Sequence, residues 1–222
     1  MRRQEVTQLL LVSLSLLPSS AVAGPGLGVA VQDKTGPGGW GWASTANCTW
    51  KYITQPLDHF GSTPHTFQER YCIYDKFWAE AQHGGFSGTD EMAPIFFYTG
   101  NESPIEPYVN NTGLMWNLGK EMHALIVFAE HRYEGNSLPP LDGVGDCVTY
   151  GTTAQALADY TALVTQLKIE YATEAPVVAF GGSYGGMLAG WARIVAPQTF
   201  IGSIAASAPV RMIMSSDTFR LP

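Results

Sequence analysis

The sequence has few cysteines, few basic residues and no long apolar run. Three cysteines in 222 residues are too few for a small disulfide scaffold and too widely spaced for a zinc site. Lys and Arg number 12 against 19 Asp and Glu, which gives a net charge of −7. This charge argues against nucleic acid or an anionic membrane surface as the main partner, because both need a basic face.

The longest apolar stretch, Leu9–Leu17, is far shorter than the roughly 20 residues that a bilayer span needs. It follows two arginines and precedes a small-x-small cleavage site that ends at Ala23. This pattern predicts a secretory signal peptide over residues 1–23 rather than a membrane anchor. The Gly- and Pro-rich segment 24–46 is predicted to be a flexible start of a soluble mature chain.

Two further features fit the secretory pathway. Asn47, Asn101 and Asn110 each begin an N-glycosylation sequon, and Asn101 is the poorest acceptor because Pro104 directly follows its sequon. The cysteines are odd in number for an oxidising compartment: Cys48, Cys72 and Cys147. One of them is therefore expected to be free, or its partner lies outside this chain.

Short apolar segments alternate with helical patterns through most of the chain. Buried strands are predicted at Pro94–Thr99, Ala124–Ala129, Val177–Phe180 and Ile201–Ala206. Helices are predicted at Leu114–Met122, from a Thr152–Gln155 capping box onward, and at Tyr184–Val195. An antiparallel hairpin at the sheet edge is predicted from Lys51–Leu57 and Phe67–Tyr74. The fold class is therefore α/β, a mostly parallel sheet with helices on both faces.

The strongest chemical signal is the hexapeptide Gly181–Gly186, which matches G-x-S-x-G between a strand and a helix. In such a turn the backbone is strained, so the residues two before and two after Ser183 must be small. The turn lifts the hydroxyl clear of the sheet and aims the backbone N–H of Tyr184 at a developing oxyanion. A phosphate loop is excluded, because neither its lysine nor its glycine spacing is present.

A serine nucleophile needs a histidine base, and in this fold the acid and then the histidine follow the serine along the chain. All five histidines precede Ser183, and Asp217 is the only acid after it. His59 and His131 are disfavoured as substitutes by this chain order. The run Glu130-His131-Arg132 is instead expected to hold its loop through ion pairs.

Five further segments, together with the serine turn at Gly181–Met187, make the sequence more specific than that turn alone: Gln55–Phe60, Ile95–Glu102, Val127–Tyr133, Gln155–Tyr160 and Ala205–Pro209. With them, the region from about Tyr52 to Val210 resembles the secreted and lysosomal serine peptidase family that includes prolyl carboxypeptidase and dipeptidyl peptidase II. The resemblance implies an α/β-hydrolase fold and an exopeptidase that acts on peptides with proline near a terminus. It implies no cofactor and no metal ion, a lysosomal or extracellular location, and a homodimer for the full-length form.

The resemblance also implies Ser183 as nucleophile, with an Asp and a His far downstream. Residues 47–222 are then expected to be the N-terminal part of the catalytic domain, truncated after the serine turn and the next strand. The chain as given is expected to be inactive and poorly stable, with an exposed edge strand. A silent truncated secreted protein, or a lipase or esterase on the same fold, are the alternatives.

The loop after the strand at Pro94–Thr99 is predicted to complete the site. In this fold that loop supplies the second oxyanion donor, which points to a backbone N–H of Gly100 or Asn101. Glu102 either meets a substrate amine or anchors the turn. This chain departs from the family at Ser103-Pro104, where Gly-Asp is usual, and at Glu134, where a second tyrosine is usual, so fine specificity does not carry over.

Overall fold

A single six-stranded sheet forms the centre of the computed structural model, which describes residues 42–83, 93–140, 145–171 and 173–210, with the backbone alone for 80–83. The strand order is β1-β2-β4-β3-β5-β6. The predicted signal peptide and most of the Gly- and Pro-rich segment lie outside the described residues.

The first two strands form the predicted antiparallel hairpin. Strand β1 (Thr49–Pro56) pairs with β2 (Thr66–Tyr74) in a register that joins Thr49 to Ile73 and Pro56 to Thr66. Strand β1 lies at the sheet edge, while β2 also pairs antiparallel with β4. Because β1 lies at the edge, most of its residues are exposed or half-exposed, whereas β2, between two strands, is almost wholly buried.

The other four strands run parallel to one another and confirm the predicted α/β class. They are β3 (Ile95–Thr99), β4 (Leu125–Ala129), β5 (Val177–Gly182) and β6 (Gly202–Ala206). Every residue of β3 and β4 is buried, as their continuous apolar runs predicted. Strand β6 closes the described sheet and is mostly half-exposed, since only β5 pairs with it among the described residues.

Six α-helices are described: α1 (Lys76–His83), α2 (Glu106–Asn111), α3 (Gly113–Glu121), α4 (Cys147–Tyr150), α5 (Thr153–Glu170) and α6 (Ser183–Val195). Helices α3, α5 and α6 were predicted, whereas the short helices α1, α2 and α4 were missed. Thr152 caps α5 as predicted, because its side chain accepts from the Gln155 backbone N–H. The reciprocal half of the capping box was wrong, since the Gln155 side chain donates to Asp58 and accepts from the His59 N–H.

The alternation of side chains along each strand divides the core into two layers. Ile95 and Phe97 pack with α5 and α6 on one face, while Phe96 and Tyr98 pack with α2 and α3 on the other. Trp42, at the end of the Gly- and Pro-rich segment, packs edge-on against Phe77 in the second layer, with ring centroids 5.3 Å apart.

The cysteines resolve into one disulfide and one thiol. Cys48, just before β1, bonds to Cys72 on β2, and so joins the two strands of the hairpin covalently. Cys147 is exposed and is the free cysteine that the odd count predicted. In the part of the chain that the structure describes, no helix combines the length and the apolar character needed to cross a membrane.

Candidate active site

Ser183 lies at the turn from β5 into α6 in the left-handed backbone conformation, with φ of +53°. A serine rarely adopts this conformation without surrounding structure that enforces it, and such strain marks functional turns. The residue is exposed even though β5 before it and α6 after it are largely buried. The turn therefore presents the hydroxyl above the carboxyl end of the sheet, as the motif predicted.

The neighbouring glycines are sterically required. A Cβ on Gly181 would lie 2.2 Å from the Gly185 carbonyl oxygen, and one on Gly185 would lie 2.5 Å from Asn101 Oδ1. Thr99, at the end of β3, fixes the same turn through its hydroxyl, which donates to the carbonyl oxygens of Phe180 (3.0 Å) and Gly185 (2.6 Å). A larger residue at position 181 would force β5 and α6 apart, and one at position 185 would force α6 away from the end of β3.

The N-terminus of α6 is available to an anion. Its N-cap is Gly182, which provides no side-chain capping hydrogen bond, so the first N–H groups of the helix have no such acceptor. These N–H groups, Tyr184 included, lie at the positive end of the helix dipole. This is the arrangement that an oxyanion hole requires.

The loop after β3 lies directly beside the serine turn, because β3 and β5 are parallel neighbours. The Asn101 side chain is 2 % exposed, donates to the Gly182 carbonyl at 2.6 Å and accepts from the Tyr98 hydroxyl at 3.1 Å. Gly100 is held against the end of β4, where a Cβ would lie 2.6 Å from the Ala129 oxygen. The structure thus brings the predicted oxyanion residues together at one edge of the sheet.

The burial of Asn101 bears on its sequon. An amide that is enclosed and that already donates to Gly182 has no room for a glycan, which argues against Asn101 as an acceptor in the folded chain. Asn47 and Asn110 lie nearer the surface, where Asn47 donates to the Trp42 carbonyl and Asn110 accepts from the Thr45 N–H. Neither contact encloses the side chain, so both remain candidate acceptors.

The Tyr184 side chain is held by two partners. Its hydroxyl lies 3.2 Å from His131 Nε2 and 3.3 Å from the Thr153 hydroxyl. His131 Nδ1 lies 2.7 Å from the Arg132 carbonyl oxygen and so donates to it, which leaves Nε2 as the acceptor for the tyrosine. Burial lowers the pKa of His131 and favours this neutral form.

His59 is also engaged away from the serine. Its Nε2 lies 2.7 Å from Asp159 Oδ1 on α5. Among the described residues no histidine is hydrogen-bonded to Ser183, and no group of three or more His, Cys, Asp or Glu could hold a metal ion. The acid and base of a triad are therefore not assembled within this part of the chain.

In the run Glu130-His131-Arg132, the two charged residues form the ion pairs that the sequence suggested, Glu130 with Arg70 and Arg132 with Asp159. Glu130 is fully buried and accepts from Arg70 Nη2 at 2.6 Å, while Arg70 Nη1 also pairs with Glu106 at 2.8 Å. Glu130 further accepts from the Asn136 N–H and from the Ser137 hydroxyl. These contacts fix the loop that carries His131 beneath Tyr184.

Two acidic side chains lie near this loop. Burial raises the pKa of Glu134, and the charges of Glu102 and Glu130 raise it further. Glu102 directly follows Asn101, whose side chain contacts Gly182, and the Glu134 N–H donates to the His131 carbonyl oxygen, so both acidic residues lie beside the site. We call these two residues the acidic rim, and negative charge there favours a positively charged group in a bound molecule.

Sequence reasoning missed Thr99, Thr153 and the role of the Asn101 side chain. Their contacts join residues 31 to 86 positions apart along the chain, so no local sequence pattern predicted them. A β-branched hydroxyl residue at the end of a wholly apolar strand was the one available signal at Thr99.

A mostly parallel sheet, a strained serine at a strand-to-helix turn and an uncapped helix N-terminus beside it define a serine hydrolase of the α/β-hydrolase fold. Residues 55–220 match the family described as serine carboxypeptidase S28, so the chain belongs to this family of serine peptidases.

Individual relatives agree with this family. The chain is 46% identical over 165 residues to the lysosomal Pro-X carboxypeptidase of Homo sapiens and 47% identical over 166 residues to that of Bos taurus, in each case covering 72% of this chain and 31% of the relative. It is 30% identical to the thymus-specific serine protease of Mus musculus over 171 residues, 76% of this chain and 32% of that one. The chain thus spans about a third of the length of the curated relatives it matches.

Solved structures show a more distant similarity. An epoxide hydrolase from Vigna radiata, at 12% identity, matches 72% of this chain and 38% of its own with a TM-score of 0.45. A prolyl endopeptidase structure, at 17% identity, matches 73% of this chain and 21% of its own with a TM-score of 0.46. The fold assignment rests on the sheet topology and the serine turn rather than on these values.

Proposed function

We propose that this chain carries the nucleophile and the oxyanion-stabilising elements of a serine exopeptidase that cleaves beside proline. The observation that carries the proposal is Ser183, held at φ of +53° at an exposed strand-to-helix turn in a member of the S28 family. The relatives named lysosomal Pro-X carboxypeptidase support removal of the C-terminal residue that follows a proline.

The chemistry would proceed through an acyl-enzyme. Ser183 Oγ attacks the carbonyl carbon of the scissile bond while a histidine base takes its proton and returns it to the leaving amine. The negative charge that develops on the carbonyl oxygen is stabilised by the Tyr184 N–H and by an N–H of Gly100 or Asn101. Water then releases the acyl product and restores the serine.

The 222 residues alone are proposed to be inactive. His59 and His131 are hydrogen-bonded to other groups, and no histidine follows Ser183 in the sequence. An oxyanion hole without a base accelerates hydrolysis only about 10³–10⁴-fold over the rate in water.

The acidic rim favours a second candidate. A dipeptidyl peptidase must bind the free ammonium of a peptide N-terminus, and Glu102 and Glu134 supply carboxylates near the site. A carboxypeptidase binds a terminal carboxylate, which these groups would repel. The rim therefore supports the dipeptidyl peptidase branch, whereas the names of the relatives support the carboxypeptidase branch.

Three reporters distinguish the candidates in a family-length protein. An N-blocked peptide with proline in the penultimate position reports the carboxypeptidase, a free-amine Xaa-Pro amide reports the dipeptidyl peptidase, and a p-nitrophenyl ester reports an esterase. We expect hydrolysis of the first and no preference for simple esters. Ester turnover without a proline preference would contradict the peptidase proposal.

The 222-residue chain is tested with a fluorophosphonate probe, which reacts only with an activated serine. No labelling of Ser183 is expected. Stoichiometric labelling in a monodisperse monomer would show that an upstream histidine serves as base and would overturn the proposal that this chain is inactive. Such a result would leave the serine peptidase assignment in place.

We further propose passage through the secretory pathway to an acidic or extracellular compartment, with glycans on Asn47 and Asn110. Expression in mammalian cells followed by glycosidase treatment tests this directly. A mobility shift that is lost in the Asn47→Gln, Asn110→Gln double variant is expected. A protein without a glycan in the secretory fraction would contradict it.

A further inference from the structure

Glu69, on β2, is an acidic side chain buried without a cation of its own. It is 0 % exposed. Its Oε2 accepts one hydrogen bond, from Gln55 Nε2 on β1 at 2.6 Å, and its Oε1 has no hydrogen-bond partner. A carboxylate buried this way would lose its hydration without gaining an ion pair, which strongly disfavours the charged form.

The nearest positive charge is already committed to another carboxylate. Arg132 donates to Asp159 through Nε at 2.6 Å and through Nη2 at 2.7 Å, and His59 Nε2 lies 2.7 Å from Asp159 Oδ1. The remaining N–H groups of Arg132 donate to the carbonyl oxygens of Pro56, Leu57 and Tyr150. All five donors of the guanidinium are thus engaged, and none reaches Glu69.

Two of the three buried side-chain oxygens that lack a partner among the described residues belong to adjacent side chains. They are Glu69 Oε1 and Gln55 Oε1, and the same two side chains already share the Gln55–Glu69 hydrogen bond. A carboxylate has hydrogen-bond acceptors and no donor, so an ionised Glu69 leaves both of these oxygens without a donor. A protonated carboxyl group supplies one O–H donor to this cluster, and so improves its hydrogen bonding.

The groups that face Glu69 include one cation, Arg132, which is already paired. From α5 come Asp159 and Tyr160, from the segment after β4 come Glu130 and Arg132, and from β2 itself comes Tyr71. His59 contacts Asp159 and makes no hydrogen bond to Glu69. Burial raises the pKa of Glu69 well above its usual value, and the neighbouring charge of Asp159 raises it further. Burial also raises the pKa of Tyr71 to about 12, so this tyrosine stays neutral in the same range.

We propose that Glu69 is protonated in the folded chain and acts as a pH-sensitive switch at the junction of β1, β2 and α5. In acid the neutral side chain fits this junction. As the pH rises, the proton is lost, and a second buried carboxylate faces Asp159 with no cation to pair it. The junction is then destabilised, so the fold is adapted to an acidic compartment.

The direction follows from proton linkage. Above the ordinary value of 4.5 the unfolded chain has released the Glu69 proton while the folded chain retains it. Unfolding therefore releases one proton, and the folding equilibrium constant falls up to about tenfold for each pH unit until the raised pKa is reached. The stability supplied by this group is complete below pH 4.5 and is lost as the pH rises to the raised pKa of Glu69.

The test compares the whole 222-residue chain with Glu69→Gln in urea denaturation followed by tryptophan fluorescence between pH 4.5 and 7.5. Glutamine keeps the shape and cannot ionise. The matched control is Glu174→Gln, which removes an exposed carboxylate near the end of α5. In the parent and the control, we expect the folding equilibrium constant to fall up to about tenfold for each pH unit. In Glu69→Gln we expect this pH dependence to be lost.

Two outcomes would overturn the proposal. One is a pH slope in Glu69→Gln equal to that of the parent, and the other is a loss of stability in Glu69→Gln at pH 7.5. A second measurement, which needs no unfolding transition, uses the infrared carbonyl stretch of a protonated carboxyl group. In acid, above the ordinary pKa of exposed carboxyl groups, the band is expected in soluble parent protein and absent from Glu69→Gln; its absence from both would also overturn the proposal.

Discussion

The serine turn and the charged junction beneath β1 are built on different physics. At the turn, Gly181, Gly185 and Thr99 hold Ser183 by close backbone approach and hydrogen bonds, with no buried charge among them. At the junction, Arg132 and Asp159 form a buried ion pair that fixes the ends of strands and loops. A short sequence motif predicts the steric requirements of the turn, whereas the ion pair joins residues that are distant in the sequence and is seen only in the folded structure.

The largest expected effect removes the chemistry of the turn and leaves its geometry intact. Ser183→Ala in a family-length protein should lower kcat by about 10⁶-fold, the loss seen when a catalytic serine is removed. Stability should not change, because the exposed hydroxyl makes no hydrogen bond within the described residues and alanine meets the same backbone strain. Single-turnover assays and thermal unfolding measure the two halves, and retention of more than a few per cent of activity would exclude Ser183 as the nucleophile.

The junction should respond in stability. Arg132→Met removes the bidentate pair and leaves Asp159 buried with only His59 beside it. Breaking a buried pair on one side costs about 3–5 kcal/mol of unfolding free energy, because the other charge stays uncompensated. Urea denaturation at pH 5 measures the loss, and a cost below about 1 kcal/mol would show that the pair contributes little.

Much of the fold was accessible from the sequence because its strands are apolar on both faces. The segments Ile95–Thr99 and Leu125–Ala129 are nearly continuous apolar runs, and the hairpin before them forms the predicted antiparallel pair, with β1 at the sheet edge. The short helices α1, α2 and α4 were missed because four to eight residues carry too little periodicity. Their position is set by tertiary packing, as for Phe77 of α1 against Trp42.

The residues of the candidate site also differ in whether a local sequence motif predicts them. Ser183 and its flanking glycines follow from one local motif, since the turn itself demands them. The hydrogen bond from Asn101 to Gly182 and the contacts of Tyr184 with His131 and Thr153 join separate elements. Glu69 was missed although the alternation of a strand places it on the same face as Phe67 and Tyr71. That it lacks a cation depends on Arg132 pairing with Asp159, which no local pattern shows.

Alanine at two of the three glycines of α6 separates steric demand from helix propensity. Gly185→Ala places a Cβ 2.6 Å from the Thr99 carbonyl oxygen, whereas the nearest atom to a Cβ on Gly190 is 3.9 Å away. We expect the first change to destabilise by about 1–3 kcal/mol through overpacking and the second to stabilise by up to about 1 kcal/mol. Thermal unfolding of both variants measures the contrast, and equal effects would mean that the turn tolerates a Cβ.

The smallest effect belongs to an ion pair at the surface, which is the counterpart of the buried pair at the junction. Lys51 on β1 pairs with Glu170 at the end of α5, and their side chains are 32 % and 37 % exposed. Lys51→Met should lower the unfolding free energy by only about 0.2–1 kcal/mol, because water screens both charges and ordering two long side chains offsets the attraction. The loss should shrink further in 1 M salt, where the Debye length falls to about 3 Å, whereas the cost of Arg132→Met should persist. Urea denaturation at low and high salt separates the two variants, and a salt-insensitive loss of several kcal/mol for Lys51→Met would show that exposure does not distinguish these pairs.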